Sequence, residues 1–211
     1  MQPKRLEQSP RSIYIIGAQC TGKTTLLNAL RDHYSKPSEP GGDVPQFIEE
    51  TARIVFKQEG FAFSAVDTRS NFDNYLEVQR AILRTQLDAE DEALRKGDWF
   101  ISDRSALDCL IYTTKYIGRE GAEVLSRTPD FTRLKVRMQE GRVIVCEPVL
   151  DWLKDDGTGF RPIPELKEDW LAVHKEFCGL LDGLGWEYDV LPSSMRGIQE
   201  RVAFVLRGTR E

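Results

Sequence analysis

Residues 17–24, GAQCTGKT, place two glycines, a lysine and a hydroxyl residue at the spacing GxxxxGK[ST]. Together they suit one task, the holding of a row of phosphates. Gly17 and Gly22 allow a tight turn and a close backbone approach to an anion. Free N–H groups at a helix start point at the same anion, with the helix dipole behind them. Lys23 supplies an ammonium for the β- and γ-phosphates, and Thr24 a hydroxyl for Mg²⁺. A simple Gly-rich turn needs neither. The expected cradle for ATP or GTP is therefore Gly17, Ala18, Gln19, Cys20, Thr21, Gly22, Lys23, Thr24 and Thr25. Cys20 has two readings. Beside Lys23 and a helix N-terminus it is a candidate reactive thiol whose oxidation would block the loop. It is equally a small residue at a tolerant position.

Further charged residues fall where strands should end. Asp103 follows the apolar run WFIS at 99–102 and is a candidate Mg²⁺ carboxylate; the competing role is a helix N-cap. Arg104 offers a planar fork that matches phosphate oxygens, or else forms an ion pair. Glu50 follows Gln46–Ile48 and is placed to take a proton from an attacking hydroxyl, with Glu49 as its competitor. Arg53, three residues on, pairs with Glu50 or meets substrate. Gln79 and Gln86 are amides near the apolar face of a long helix; they read a substrate base or are satisfied within the fold. Asp155, Asp156, Arg161 and Lys154 lie in a charged, irregular stretch, 147–163. An arginine closing over the phosphates from there would stabilise transition-state charge. His174 has no partner histidine and reads as structural.

These residues need a frame. Residues 1–11 are a polar tail, and 12–211 read as one domain with a lid candidate at 150–163. Five apolar runs are the expected strands, at 12–16, 46–48, 99–102, 142–146 and 186–191. Helices are expected over about 22–34, 51–58, 71–96, much of 105–140, 164–181, and from a cap at Ser193 or Ser194 to Arg207. Phe72, Leu76, Leu83, Leu87 and Leu94 mark one face of the long helix, which Gly97 ends. Gly183 and Gly185 make the turn into the fifth strand. Residues 35–45, SKPSEPGGDVP, read as a loop. The alternation predicts an α/β fold with a five-stranded, mainly parallel sheet flanked by helices. Ligands of such sheets bind beyond the carboxyl ends of the strands, where Gly17, Glu50, Asp103 and Arg104 all fall.

Bulk properties narrow the partners. The chain has 211 residues and a net charge of −5, which argues against a general nucleic-acid or membrane-surface binder. No apolar run is long enough to span a bilayer or to act as a secretion signal. Cys20, Cys109, Cys146 and Cys178 form no CxxC pair, so zinc is not expected, and a reducing compartment, the cytoplasm, is. A switch-type GTPase needs an NKxD segment, which is absent; the DxxG match at Asp156–Gly159 follows no buried strand. A mechanical ATPase usually carries an acidic pair after a hydrophobic strand, and here Arg104 follows Asp103. A small-molecule kinase needs a cradle, a metal carboxylate, a base and a lid, and each has candidates.

The segments IIGAQCTGKTTLLNAL at 15–30, EETAR at 49–53, FISDRSALD at 100–108, DDGTGFRP at 155–162 and WEYDVLP…ERVAFVL at 186–206 resemble the NadR/Ttd14-type AAA domain family. This P-loop group includes the ribosylnicotinamide kinase half of a bacterial NAD-biosynthesis regulator. The resemblance runs through nearly the whole chain, in the family's order. It implies a nucleoside-kinase-like core, ATP or GTP with Mg²⁺, and a small-molecule acceptor such as nicotinamide riboside. The segment DRS is also similar to a deoxynucleoside kinase motif, which implies Asp103 for Mg²⁺ and Arg104 for the phosphoryl site. Glu50 resembles the acceptor-side base and Arg161 the lid arginine of those kinases. The alternatives are a nucleotide-binding regulatory module without transfer, and a polynucleotide 5′-hydroxyl kinase.

Overall fold

The run Ile13–Ile16 is buried on both sides, and this dictates its place at the centre of a parallel sheet. The structure, a computed structural model, describes residues 12–35, 44–59, 71–153 and 167–207. The strands are β1 (Ile13–Ile16), β2 (Gln46–Ile48), β3 (Phe100–Asp103), β4 (Arg142–Cys146) and β5 (Asp189–Leu191). They lie in the order β2-β3-β1-β4-β5, and every pairing is parallel. The helices are α1 (Lys23–Tyr34), α2 (Thr51–Glu59), α3 (Phe72–Lys96), α4 (Ala106–Ser126), α5 (Pro129–Glu140), α6 (Lys167–Leu184) and α7 (Ile198–Leu206).

Side-chain alternation along the strands divides the core in two. Tyr14, Ile16, Phe100, Val143 and Val145 face one cluster, which Leu83 and Leu87 of α3, Leu107 of α4 and Trp170 of α6 complete. Ile13, Ile15, Ile101 and Ile144 face the other, closed by Leu26, Leu27 and Leu30 of α1 and Val202 and Val205 of α7. Each such leucine, fully buried, contributes about 1.5–3 kcal/mol. The product is a sheet between two helical layers, with the ends of β1, β3 and β4 left for chemistry.

The expected elements are present, with shifted edges. β3 begins at Phe100 and includes Asp103, so the carboxylate belongs to the strand. α6 runs through Gly183, and the turn falls at Gly185, where φ is +68°. β5 is shorter than expected. α7 is capped at Gly197, with neither Ser193 nor Ser194 in that role. Leu94 is 39% exposed, while Leu76, Leu83 and Leu87 are buried, with Glu90 and Ala93 continuing their face. Leu94 stands five turns beyond Leu76 and on the same azimuth, but it falls in the last turn of α3, where the cover over that face ends. Leu150–Trp152, within the stretch expected to be irregular, forms a short 3₁₀ turn.

Candidate functional site

The chain leaves β1 through Gly17, whose φ of +128° suits glycine. A Cβ there would stand 2.8 Å from the Cys146 carbonyl oxygen, so β4 walls the turn. The loop returns through Cys20, at φ +58°, and Gly22, at φ +79°, before α1 starts. A Cβ on Gly22 would come within 2.9 Å of the Trp152 ring.

Four of the loop's carbonyls are engaged by side-chain donors. Lys23 Nζ donates to Gly17 O at 2.9 Å, to Ala18 O at 2.6 Å and to Thr21 Oγ1 at 3.2 Å. Trp170 Nε1 donates to Gln19 O at 2.7 Å, and Arg201 Nη2 to Thr21 O at 2.9 Å. The Gln19 N–H donates to the Tyr112 hydroxyl at 3.1 Å. Burial lowers the Lys23 pKa to about 8, aided by the Arg104 charge.

Thr24 Oγ1 donates to Asp103 Oδ2 at 2.6 Å, and the second Asp103 oxygen is buried without a partner. A hydroxyl and a spare carboxylate oxygen are hard donors that fit Mg²⁺. Among the described residues no group of three or more His, Cys, Asp or Glu surrounds this point. That also fits, because Mg²⁺ commonly takes one or two protein oxygens and completes its shell with phosphates and water. Burial raises the Asp103 pKa, and the Glu50 charge raises it further. A cation there would reverse that pressure.

Arg104 is the hub of a buried ionic cluster. Its Nε donates to Glu50 at 2.6 Å and its Nη1 to Asp108 at 2.9 Å. Its φ of +84° is rare for a residue with a side chain and costs about 1–3 kcal/mol. The turn lets Ser105 cap α4: Asp108 accepts from the Ser105 N–H, and the Ser105 hydroxyl accepts from Leu107 N–H. The cap is thus Ser105 and not Asp103, which stays available in the site. Burial opposes the Arg104 charge, but Glu50, Tyr112 and Asp108 outweigh it and raise its pKa. Glu50 also accepts from Arg53 at 2.8 Å, while Glu49 points outward to Arg31.

Beside the loop opens a pocket of about 680 Å³, its mouth included. Gln19, Glu50 and Arg104 form the wall it shares with the cradle. α3 contributes Tyr75, Gln79, Ile82 and Gln86, and α4 contributes Asp108, Tyr112 and Tyr116. Tyr112 and Tyr116 stack at 13°, and Tyr75 leans on Tyr116. The Gln86 amide is engaged by the protein: it accepts from Thr51 and donates to Glu90 and Ser102. Gln79 lines the pocket with Tyr75, whose hydroxyl donates to the Tyr112 carbonyl oxygen at 3.2 Å. His174 is half-buried on α6, with Cys178 Sγ 3.8 Å away. Lys154, Asp155, Asp156 and Arg161 lie outside the described residues, as does most of the 150–163 lid candidate.

Sequence reasoning passed over Asp108, Tyr112 and Tyr116. Their signal was a four-residue interval counted from Arg104, which places them on one helical face. Trp170 and Arg201 gave none, because they reach the loop from 151 and 180 residues away.

Residues 12–201 match the sequence profile of a family described as AAA domain. The chain belongs to this AAA domain family. Among solved structures, the AAA domain is similar to NadR protein in complex with NR, at 20% identity and a TM-score of 0.67. That match covers 94% of this chain and 50% of the NadR chain, so the AAA domain spans about half the length of that relative. It is also similar to deoxyadenosine kinase from M. mycoides with bound dATP, at 13% identity and a TM-score of 0.59, over 93% of this chain and 97% of that one. These likenesses show the fold alone, a five-stranded parallel sheet flanked by helices. No curated protein sequence matches the chain. Among the described residues no helix of this AAA domain is long and apolar enough to cross a membrane.

Proposed function

We propose that this AAA domain is a small-molecule kinase. It transfers the γ-phosphoryl group of ATP, or GTP, to a hydroxyl of a nucleoside-class acceptor such as nicotinamide riboside. The observation that carries the reading is the shared wall. A pocket lined by aromatic rings meets the phosphate cradle at Gln19, Glu50 and Arg104.

The amides at the start of α1 and Lys23 bind the β- and γ-phosphates. Lys23 is already desolvated and held by carbonyls, so it exchanges those bonds for phosphate oxygens with little rearrangement. Thr24 and Asp103 would hold Mg²⁺, which neutralises charge on the phosphates. The acceptor's base or ring lies among Tyr75, Tyr112 and Tyr116, and this directs its hydroxyl toward the shared wall. Glu50, held by its two arginine partners, accepts the hydroxyl proton as the O–P bond forms. The bond from the γ-phosphorus to the β–γ bridging oxygen breaks, and the nucleoside diphosphate leaves. Arg104 orients Glu50 and balances the negative charge at the wall.

A screen of nucleosides with labelled ATP and Mg²⁺ tests the reading, with Lys23→Ala as the blank. The expected result is one class of phosphorylated nucleoside. Slow ATP hydrolysis with no labelled acceptor from any nucleoside would overturn it and favour a nucleotide-binding regulatory module.

A further inference from the structure

Arg201 on α7 is 2% exposed, yet its Nε and Nη1 have no hydrogen-bond partner. Among the described residues no carboxylate pairs with it. A buried cation without a counter-charge is costly, and such a residue persists when something else compensates it. The Trp152 ring, 5.0 Å from the guanidinium, compensates only in part. Nη2 donates to the Thr21 carbonyl at 2.9 Å and, more weakly, to Cys146 Sγ of β4 at 3.6 Å. That carbonyl belongs to the same peptide unit as the Gly22 N–H, the amide immediately before α1. A cation pulling on one end of a peptide makes the other end a stronger donor.

We propose that Arg201 is a positioning residue of the phosphate loop. It holds the Thr21–Gly22 peptide with its N–H toward the nucleotide, and the bound phosphates supply the counter-charge that its burial lacks. The inference rests on the nucleotide-binding part of the reading above and is independent of the acceptor. The competing account makes Arg201 a latch that only fastens α7 to the loop. The two differ in sign. Removing a latch destabilises the empty protein, whereas removing an uncompensated charge does not.

The test is calorimetric titration with Mg-ATP and with inorganic tripolyphosphate, on the unaltered chain, Arg201→Met and Arg201→Lys. Thermal unfolding without ligand is measured on all three. Loss of one charged hydrogen bond weakens binding by about 10- to 100-fold. That loss is expected for Arg201→Met with both ligands alike, with its ligand-free unfolding temperature unchanged or raised. Arg201→Lys, which keeps a cation, retains more affinity than Arg201→Met. Three results would overturn the inference: unchanged ATP affinity in Arg201→Met, a loss for ATP but not for tripolyphosphate, or losses that track a lowered ligand-free unfolding temperature. If the unaltered chain binds neither ligand, the nucleotide reading fails, and this inference with it. If it binds ATP, only the role of Arg201 is at stake.

Discussion

The Tyr112 hydroxyl accepts the Gln19 backbone N–H at 3.1 Å and donates to the Gln19 side-chain oxygen at 2.8 Å. One phenol on α4 therefore ties the phosphate loop to the neighbouring pocket, whose lining includes both residues. Tyr112→Phe keeps the ring and its stacking on Tyr116 but strands a buried N–H, at a cost of about 1–3 kcal/mol. It also removes the donor that the Tyr112 hydroxyl gives the Gln19 side-chain oxygen at the pocket wall. Steady-state kinetics are expected to show a larger rise in KM for the acceptor than for ATP. An acceptor KM that stays constant while the ATP KM rises would remove the bridging role.

Asp103 has one oxygen engaged by Thr24 and one buried without a partner. Asp103→Asn keeps a bond to Thr24 but discards the negative charge that a hard cation requires. The expected outcome is a fall in kcat of about 100-fold or more, since the metal's charge stabilisation is worth several kcal/mol. The Mg²⁺ concentration for half-maximal rate rises in step. A variant with the parent's Mg²⁺ titration curve would show that Asp103 does not serve the metal.

Lys23 sets a pH dependence with opposite signs for folding and for binding. Burial, then the Arg104 charge, lowers its pKa to about 8, below that of the unfolded chain. Its ammonium therefore costs the empty protein stability below that pH, and the cost fades as pH rises through about 8 toward the unfolded value. ATP binding needs the ammonium, so affinity is full below pH of about 8 and falls above it by about tenfold per pH unit. Calorimetry with Mg-ATP at neutral and alkaline pH checks this. An affinity flat across that window would place the lysine's titration elsewhere.

Glu50 is both the proposed base and the partner of Arg104. Glu50→Gln breaks a buried ion pair and leaves Arg104 with Asp108 as its remaining carboxylate partner, at a cost of about 3–5 kcal/mol. The bond to the half-exposed Arg53 adds little to that figure. Turnover is expected to fall far more than ATP affinity, because the nucleotide's contacts lie with the loop. Chemical denaturation read beside single-turnover rates separates the two effects. Equal loss in both would reduce Glu50 to a structural role.

Much of this arrangement was legible in the sequence because its signals are local. The loop spells its own turns, and β1 and β3 are short apolar runs whose last residues face one end of the sheet. The positions of Lys23, Thr24 and Asp103 followed from that alone. Arg104 is different: its fork suits phosphate, but the partner that engages it, Glu50, is 54 residues earlier, and no spacing rule reaches so far. Leu94 misled because it shares the azimuth of Leu76 but lies in the last turn of α3, and a periodicity does not say where the covering layer stops. Gly183 and Ser193 misled because turn formers are tolerated inside or beside a helix when tertiary packing decides its ends. Tyr112 and Tyr116 carried a helical spacing that marks a face without saying what the face adjoins.

Two of the chain's four tryptophans flank the phosphate loop. Trp170 grips it through the Gln19 carbonyl, and Trp152 lies against Gly22. A triphosphate entering the cradle alters the polar surroundings of both indoles at once. The protein's ultraviolet emission is therefore a built-in gauge of loop occupancy, and Trp152→Phe and Trp170→Phe would divide its signal between the two sides of the loop.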